Sequence, residues 1–221
     1  MLPQLKAMAI ALRPRNATVN GKKLEDFIKI YWQTLCPIPK QDNPSWQNNG
    51  GKDDHFNSLV KEDLYMLSFS RDPQVAVNRN IHVPNSNKGL FIPVMSVIVS
   101  ECETTDNLIT VANKDQASIL SSPGVLLKFD GNAVNHNGYI FAPASIGTFP
   151  VKFPDQQDAI FNIPNSKENS CNAVAAGRYV WTEPLSSGTY KVHFEGKIQC
   201  NPPNCIDTNY SENITYDITV P

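Results

Sequence analysis

The segment that most constrains the fold is an unbroken apolar run, "GLFIPVMSVIVS", from Gly89 to Ser100. It does not alternate apolar and polar residues, so a strand formed here needs protein packed on both of its faces. It is also shorter than the roughly 18 consecutive apolar residues that a membrane span needs, and no other window of the chain reaches that length. The run therefore predicts a central strand, covered on both sides, and no membrane span.

Turn-forming residues separate the other strand-like segments, which begin at about residue 75. The chain has 221 residues, of which 17 are prolines, and it is rich in Asn, Ser and Thr, a composition typical of strand-and-turn folds. The pattern predicts seven or eight strands, with a tight turn at Asp130-Gly131, a hairpin over residues 177–196 and an alternating strand at the end. We predict a mainly β fold, an antiparallel β-sandwich of jelly-roll or immunoglobulin-like type.

A helix precedes these strands, in "KKLEDFIKIYWQTLC" at residues 22–36. Its apolar residues recur at helical spacing and form one stripe, and Pro37 ends it. A second helix followed by a strand is predicted in residues 55–70. We expect residues 1–70 to form a helical N-terminal extension and loop, and residues 71–221 to form the sandwich, with the amphipathic helix packed on it in one integrated domain.

The charge of the chain argues against nucleic acid as a partner. The formal net charge is −2, and the 19 basic residues are scattered rather than gathered in a stripe. A stripe of Lys and Arg is what neutralises phosphate groups, on nucleic acid or on an anionic membrane surface. We expect neither partner.

Cysteines and glycosylation sequences favour an extracytoplasmic or secreted protein. Five cysteines predict two disulfides and one free thiol if the protein is exported, with Cys200–Cys205 in "CNPPNC" as the likeliest pair; inert thiols and a zinc site are the alternatives. Two N-x-Thr sequences, at Asn16 and Asn213, add weak support for export. The first residues are a poor signal peptide, because no cationic segment precedes their apolar run, so a cytoplasmic protein is the other interpretation.

Four segments carry motifs of one family: "WQTLCPIPKQDNP", "NIHVPNSNKGLFIPVMSVIVSECE", "FDGNAV" and "AAGRYVWTEPLSSGTYKVHFEG". They resemble uncharacterised, often exported bacterial and archaeal proteins with a VP-x-GK-x-x-x-FP-x-x-N stretch and a DG-x-W-x-x-x-x-PL-x-x-G-x-H-x-x-x-F-x-G hairpin. The similarity covers roughly residues 30–220. This chain departs from the pattern where Asn87 replaces the glycine before Lys88, Ser96 replaces Asn and Tyr190 replaces His. Because the family has no assigned reaction, the resemblance implies a fold and export rather than a function.

An acidic cluster follows the apolar run and is the first candidate site. Glu101 and Glu103 are two residues apart, so on a continuing strand they share a face, and Asp106 lies close by. Paired carboxylates can act as general acid and general base in glycoside hydrolysis, if burial separates their pKa values. The same oxygens suit Ca²⁺, the one cofactor that these residues suggest, and a solvated acidic turn is the third interpretation.

A second set of candidates is for ligand binding. Asp53, Asp54 and His55 follow a glycine pair, where they are a metal or base cluster or only the start of a helix. His82 lies alone in a predicted strand, and Trp46 lies in a polar loop where its ring could stack on a sugar.

Three functions are consistent with these observations. The first is an exported β-sandwich that binds carbohydrate, a cell-envelope component or another protein without catalysis. The second is a carbohydrate-active or other hydrolytic enzyme that uses Glu101, Glu103 and Asp106. The third is a structural surface protein with no site. Since no nucleophile elbow, P-loop or dinucleotide-binding motif is present, nucleotide-dependent chemistry is not expected, but whether the protein is an enzyme stays open.

Overall fold

The computed structural model describes residues 9–46, 52–60, 62–70, 76–85, 87–121, 124–155, 159, 169–199 and 209–221. Strands make up 41% of the structure and helices 21%, so the fold is mainly β, as predicted. The helices are α1 (Leu24–Leu35), α2 (Asp53–Val60), α3 (Leu108–Ser121) and α4 (Pro143–Ile146). The strands are β1 (Leu64–Met66), β2 (Val77–His82), β3 (Gly89–Ser100), β4 (Leu126–Phe129), β5 (Asn132–Ala133), β6 (Ile140–Phe141), β7 (Phe149–Lys152), β8 (Ser170–Trp181), β9 (Gly188–Gln199) and β10 (Asn209–Val220).

The strands form two sheets, which pack on each other. In sheet 1 the order is β1-β3-β8-β6, and β7 also pairs with β8; in sheet 2 it is β2-β10-β9-β4-β5. One apolar cluster joins inward residues of both sheets, such as Leu90 and Ile92 of sheet 1 with Val192 and Ile214 of sheet 2. A second cluster joins the other face of sheet 1 to α1. Sheet 1 is therefore the middle layer, which confirms that β3 is covered on both faces.

Helix α1 is held on sheet 1 by its apolar stripe. All six stripe residues are buried: Leu24, Phe27, Ile28, Tyr31, Trp32 and Leu35. The Trp32 indole donates a hydrogen bond of 2.9 Å to the Tyr179 hydroxyl, and the Tyr31 ring lies 5.3 Å from that of Phe91. The predicted helix is confirmed. Its apolar stripe is wide enough to require a packing partner, and sheet 1 is that partner.

The predicted β-sandwich is confirmed as two packed sheets, but two of its strand pairs are not antiparallel. Strand β1 is parallel to β3, and β2 is parallel to β10, so both sheets are mixed. A hairpin is indicated by its turn, whereas parallel partners are joined through long connections that leave no local signal. The parallel partner of β10 comes from much earlier in the chain. Strand β1 comes from residues 55–70, where a helix followed by a strand was predicted, and α2 and β1 confirm that order.

The predicted hairpin over residues 177–196 was also wrong. Strands β8 and β9 belong to different sheets, and the chain crosses between them through residues 182–187. The crossing is held by its own contacts: the Leu90 amide donates to the Thr182 hydroxyl at 2.8 Å, and the Leu185 amide donates to the Lys88 carbonyl at 3.1 Å. Two alternating strands joined by a short turn-like segment have the same sequence pattern whether they pair or cross.

Helix α3 was not predicted. It covers the end of the core between the sheets, where Val111 and Ala112 pack on Val99 and Val174. Its start is marked by Asn107, whose side-chain oxygen accepts the Thr110 amide at 3.1 Å. Over residues 108–117, where side-chain burial is described, only Val111 and Ala112 are buried apolar residues, so the periodic signal is weak.

Local predictions in sheet 2 were confirmed. Asp130 and Gly131 both have positive φ, 48° and 82°, as a tight hairpin turn between β4 and β5 requires. The inward residues of the last strand are buried as expected: Ile214, Tyr216, Ile218 and Val220.

A disulfide joins Cys102, just after β3, to Cys171 near the start of β8, with 5.9 Å between the Cα atoms. Cys36 is buried with a free thiol. The predicted Cys200–Cys205 pair lies outside the described residues. In the part of the chain that the structure describes, no helix is long and apolar enough to cross a membrane.

Candidate binding face

The outer face of sheet 2 is polar because its three adjacent strands alternate. Inward residues are apolar apart from Arg79 and Glu212, and every second side chain points away from the core. The outward set is Asn78, Asn80 and His82 of β2, Thr215, Asp217 and Thr219 of β10, and Lys191, His193 and Glu195 of β9. We call this surface the sheet 2 face.

A depression of about 530 Å³ lies at one end of the sheet 2 face. Its floor is formed by Asn80, His82, Thr189, Lys191, Asp217 and Thr219. Its walls include Asp54 at the start of α2 and Asp130 in the β4–β5 turn. Several separate parts of the chain therefore build it.

Strand register explains which side chains meet there. Asp217 lies opposite Asn80 on one side and Lys191 on the other, which makes one cross-strand row. The Lys191 Nζ is 3.3 Å from the Asp217 Oδ1, and the two side chains are 55% and 49% exposed. An ion pair this exposed contributes at most about 1 kcal/mol, so a ligand can replace it at small cost.

The two wall carboxylates are held in place. The Tyr65 hydroxyl donates to Asp54 Oδ1 at 2.7 Å, and the Lys191 amide donates to Asp130 Oδ1 at 2.7 Å. Each contact orients its carboxyl group, so the walls present acceptors whose positions are set before a ligand arrives. Three carboxylates, one ammonium, an amide, an imidazole and two hydroxyls thus face one concave surface.

A buried polar network lies directly behind the depression, on the inner side of sheet 2. The Asp53 Oδ1 accepts the Ser68 hydroxyl at 3.0 Å and the Tyr216 hydroxyl at 3.2 Å, while the Arg79 Nη1 is 3.7 Å from Asp53 Oδ2. The Arg79 guanidinium also donates to the Ser68 and Tyr216 hydroxyls and to the Pro44 carbonyl. Asp53 and Arg79 are 1% and 2% exposed, so these contacts replace water.

Burial dominates the electrostatics of this network. It raises the pKa of Asp53 to about 6, against the opposing effects of Arg79 and of the hydrogen bonds from Ser68 and Tyr216. Burial also lowers the pKa of Arg79, but the Tyr216 hydroxyl and the Asp53 carboxylate outweigh it and leave the pKa above its ordinary value. Asp53 therefore changes from neutral to charged as the pH rises through about 6, beside the permanent cation of Arg79.

Three network residues each precede a depression residue in the chain. Asp53 precedes Asp54, Arg79 precedes Asn80 and Tyr216 precedes Asp217, the last two pairs on opposite faces of a strand. The network therefore fixes the backbone that carries the depression. Its residues are shielded from solvent and do not line the depression themselves.

The predicted acidic cluster does not form a shared strand face. Strand β3 ends at Ser100, and Glu101 and Glu103 lie in the turn after it. Glu101 is exposed and its Oε2 accepts the Asn172 amide at 3.1 Å, while Glu103 Oε2 accepts the Ser100 amide at 3.1 Å. The two carboxylates stabilise backbone at the end of the strand.

The third member of that cluster, Asp106, is exposed as well. In the described residues no group of three or more His, Cys, Asp or Glu side chains is arranged to hold a metal ion. The geometry that the catalytic hypothesis needs, two buried carboxylates facing one cleft, is not what this turn presents.

The predicted binding residues divide between different places. Asp54 and His82 meet at the depression. Asp53 is buried in the network behind it, and His55 is exposed on α2. Trp46 is partly buried against the core around α1, and the Lys40 Nζ lies 4.8 Å from its ring centroid, so a cation covers one face of the ring.

Asn80, Asp130, Lys191 and Asp217 were not predicted as site residues. Alternation along β9 and β10 places Lys191 and Asp217 on the outer face, which was a usable signal. Nothing local indicates that Asn80 lies beside them, because β2 joins β10 from a distant part of the chain.

Comparison with known proteins adds no identification. No family model matches the chain, and no curated protein matches it. Among solved structures, the solution structure of amebosin is similar at 10% sequence identity and a TM-score of 0.16, over 66% of this chain and 99% of that one. A TM-score of 0.16 does not indicate a shared fold.

Proposed function

We propose that this protein is an exported β-sandwich module that binds carbohydrate at the depression of the sheet 2 face, without catalysis. The observation that carries the proposal is the concave surface on which carboxylate, amide, hydroxyl and ammonium groups converge from separate parts of the chain. Sugar hydroxyls both donate and accept hydrogen bonds, so they pair with a mixture of this kind. A volume of about 530 Å³ is within the range of small-ligand sites.

The charges in the depression narrow the ligand class. Asp54, Asp130 and Asp217 supply three carboxylates, and Lys191 supplies one ammonium group. The surface therefore carries net negative charge, which repels uronic acids and sulfated sugars. Neutral and amino sugars are the expected ligands.

Binding relies on hydrogen bonds rather than ring stacking. Tyr190 lines the depression, but it is only 7% exposed and its hydroxyl donates to the Ser186 carbonyl at 2.9 Å. Without an exposed aromatic platform a single sugar binds weakly, with a Kd on the order of 0.1–1 mM, and affinity grows through multivalent contact.

Export is supported by the Cys102–Cys171 disulfide. Structural disulfides form and persist in oxidising compartments and are rare in the cytosol. The bridge joins the turn after β3 to β8 in the middle layer, across a sequence separation of 69 residues, which is the placement of a structural bond.

A glycan array followed by NMR titration of the best ligand tests the proposal. Asp217→Asn keeps the shape of the side chain and removes its charge, and we expect it to weaken binding roughly tenfold or more. Glu195→Gln is the matched control, because it makes the same change on the same face outside the depression, and it should leave Kd within about twofold. Equal losses in both variants, or a preference for acidic glycans, would show that the depression is not the site.

Turnover is measured with the same ligands. If the wild type releases products and Glu101→Gln or Glu103→Gln does not, the protein is a hydrolase rather than a binding module. An array without any bound glycan would favour a structural surface protein.

A further inference from the structure

A second depression, outside the sheets, lies beside the acceptor sequence Asn16-Ala17-Thr18. The Ala17 amide donates to the Pro14 carbonyl at 3.1 Å, which closes a turn with Asn16 at its third position. Asn16 and Thr18 are both exposed. The amide and the hydroxyl that an N-x-Thr acceptor must present are therefore on the surface, in a turn that a transferase can reach.

The other N-x-Thr sequence is placed differently. Asn213 and Thr215 lie in β10, the strand between β2 and β9, and Thr215 pairs with both neighbours. The Thr215 hydroxyl is 3.0 Å from the His193 Nδ1. A regular strand with its hydroxyl already engaged cannot enter a transferase as a turn, so the folded protein offers Asn16 and withholds Asn213.

The depression beside Asn16 has a volume of about 290 Å³, at the small end of the range for ligand sites. It is lined by Arg15, Lys23 and Glu25. The Arg15 Nη1 donates to the Gly138 carbonyl at 3.1 Å, and its guanidinium lies 4.2 Å from the Phe141 ring centroid, so this wall is held in place. Two cations and one carboxylate offer donors and an acceptor to the hydroxyls of a single sugar.

We propose that Asn16 carries an N-linked glycan whose first sugar rests between Arg15, Lys23 and Glu25. The proposal depends on the export proposed above, since the modification needs a glycosyl donor linked to a lipid phosphate or pyrophosphate and its membrane-bound transferase. The Asn16 Nδ2 forms a bond to the sugar C1 while the bond from C1 to the phosphate oxygen breaks. The phosphate leaves with that electron pair, and the amide loses one proton to the solvent.

Peptide mapping by mass spectrometry, on protein purified from the organism that makes it, tests the acceptor. The peptide with Asn16 is expected to carry the glycan and the peptide with Asn213 to be unmodified. Asn16→Gln and Thr18→Ala should each remove the glycan from the peptide with residue 16, whereas Asn213→Gln should leave it in place. A bare Asn16, or a glycan at Asn213 in its place, overturns the inference.

The same sample separates this failure from a failure of export. An unmodified Asn16 in protein whose Cys102 and Cys171 are oxidised refutes glycosylation and leaves export standing, whereas reduced cysteines refute both.

The contact of the first sugar with Arg15, Lys23 and Glu25 is tested separately, by the rate at which an enzyme releases the glycan. Lys23→Ala should speed release several-fold, whereas Lys29→Ala, farther along α1, should not. Equal release rates in the two variants would refute the contact of the sugar with this depression.

Discussion

At the scale of the residue, Asp53 and Asp54 show how completely surroundings decide what a side chain does. They are neighbours of one type, yet Asp53 is 1% exposed and bonded to Ser68 and Tyr216, while Asp54 is exposed at the depression. Helical geometry sends consecutive side chains to different sides of α2, so one is buried and the other meets solvent. Burial raises the pKa of Asp53.

The raised pKa of Asp53 predicts that stability falls as pH rises. The folded protein holds this proton up to about pH 6, whereas the unfolded chain releases it near the ordinary value of 3.8. The contribution is fully present below about pH 4 and is lost as pH rises through about 6, a loss on the order of 3 kcal/mol. Asp53→Asn imitates the neutral acid, keeps the acceptor at Oδ1, and should remove this slope.

Urea unfolding at several pH values between 4 and 7 measures this pH dependence of the free energy of unfolding. The wild type and the variant should have similar free energies of unfolding at pH 4 and diverge toward pH 7, with the variant more stable. Parallel pH profiles would contradict the prediction, and Asp54→Asn, at the exposed neighbour, is the control that should follow the wild type.

Arg79→Met should be strongly destabilising, and more so at high pH. It removes the donors to the Pro44 carbonyl and to the Ser68 and Tyr216 hydroxyls, and at pH 7 it leaves an ionised Asp53 without its cation. Loss of one partner of a buried ion pair costs about 3–5 kcal/mol. Unfolding at pH 7 and pH 4 should show a smaller cost at pH 4, where Asp53 is neutral, and a cost independent of pH would refute the ion pair.

At the scale of the element, a helix is stabilised both by its own sequence pattern and by the surface that it packs on, and the two contributions differ between α1 and α3. Helix α1 has both a strong stripe and a sheet to cover, so sequence and structure agree on it. Helix α3 has a weak stripe but fills the open end between the sheets, packing on Val99 and Val174. Packing there outweighs the periodic signal.

The N-cap of α3 is the local interaction that can be tested. Asn107→Ala removes the acceptor of the Thr110 amide and should lower the free energy of unfolding by about 1 kcal/mol. Asn107→Asp keeps an acceptor at the same position and should be close to the wild type. If both variants unfold alike, the cap is not what stabilises the start of α3.

At the scale of the whole molecule, the Cys102–Cys171 disulfide holds the end of β3 to the start of β8. Cysteines 69 residues apart close a long loop, so the bond restricts the unfolded chain by about 4 kcal/mol on the chain-entropy model. Replacing Cys102 and Cys171 together with Ala should therefore cost about 2–4 kcal/mol, measured by urea unfolding without reductant. Reducing the wild type should lower its stability to the same level, and a wild type that reductant leaves unchanged would contradict the bond.

The mixed sheets and the depression both belong to this largest scale. Apolar alternation was enough to predict that Ile214 and Tyr216 point inward and that Lys191 and His193 point outward, because that periodicity is a property of a single strand. The partner of each strand is not encoded in that periodicity. The error over residues 177–196 and the unpredicted pairing of β2 with β10 have this one cause.

The sequence by itself determined a mainly β fold, a central strand at Gly89–Ser100, the amphipathic helix α1 and the Asp130-Gly131 turn. These are consequences of composition, periodicity and backbone sterics, which act over a few residues. Only the tertiary structure decided that Asp54 and His82 meet Lys191 and Asp217, that Asp53 is buried against Arg79, and that Glu101 and Glu103 stabilise a turn. A site is a relation between segments far apart in the chain, and the distance between them is set when sheets pair and layers pack.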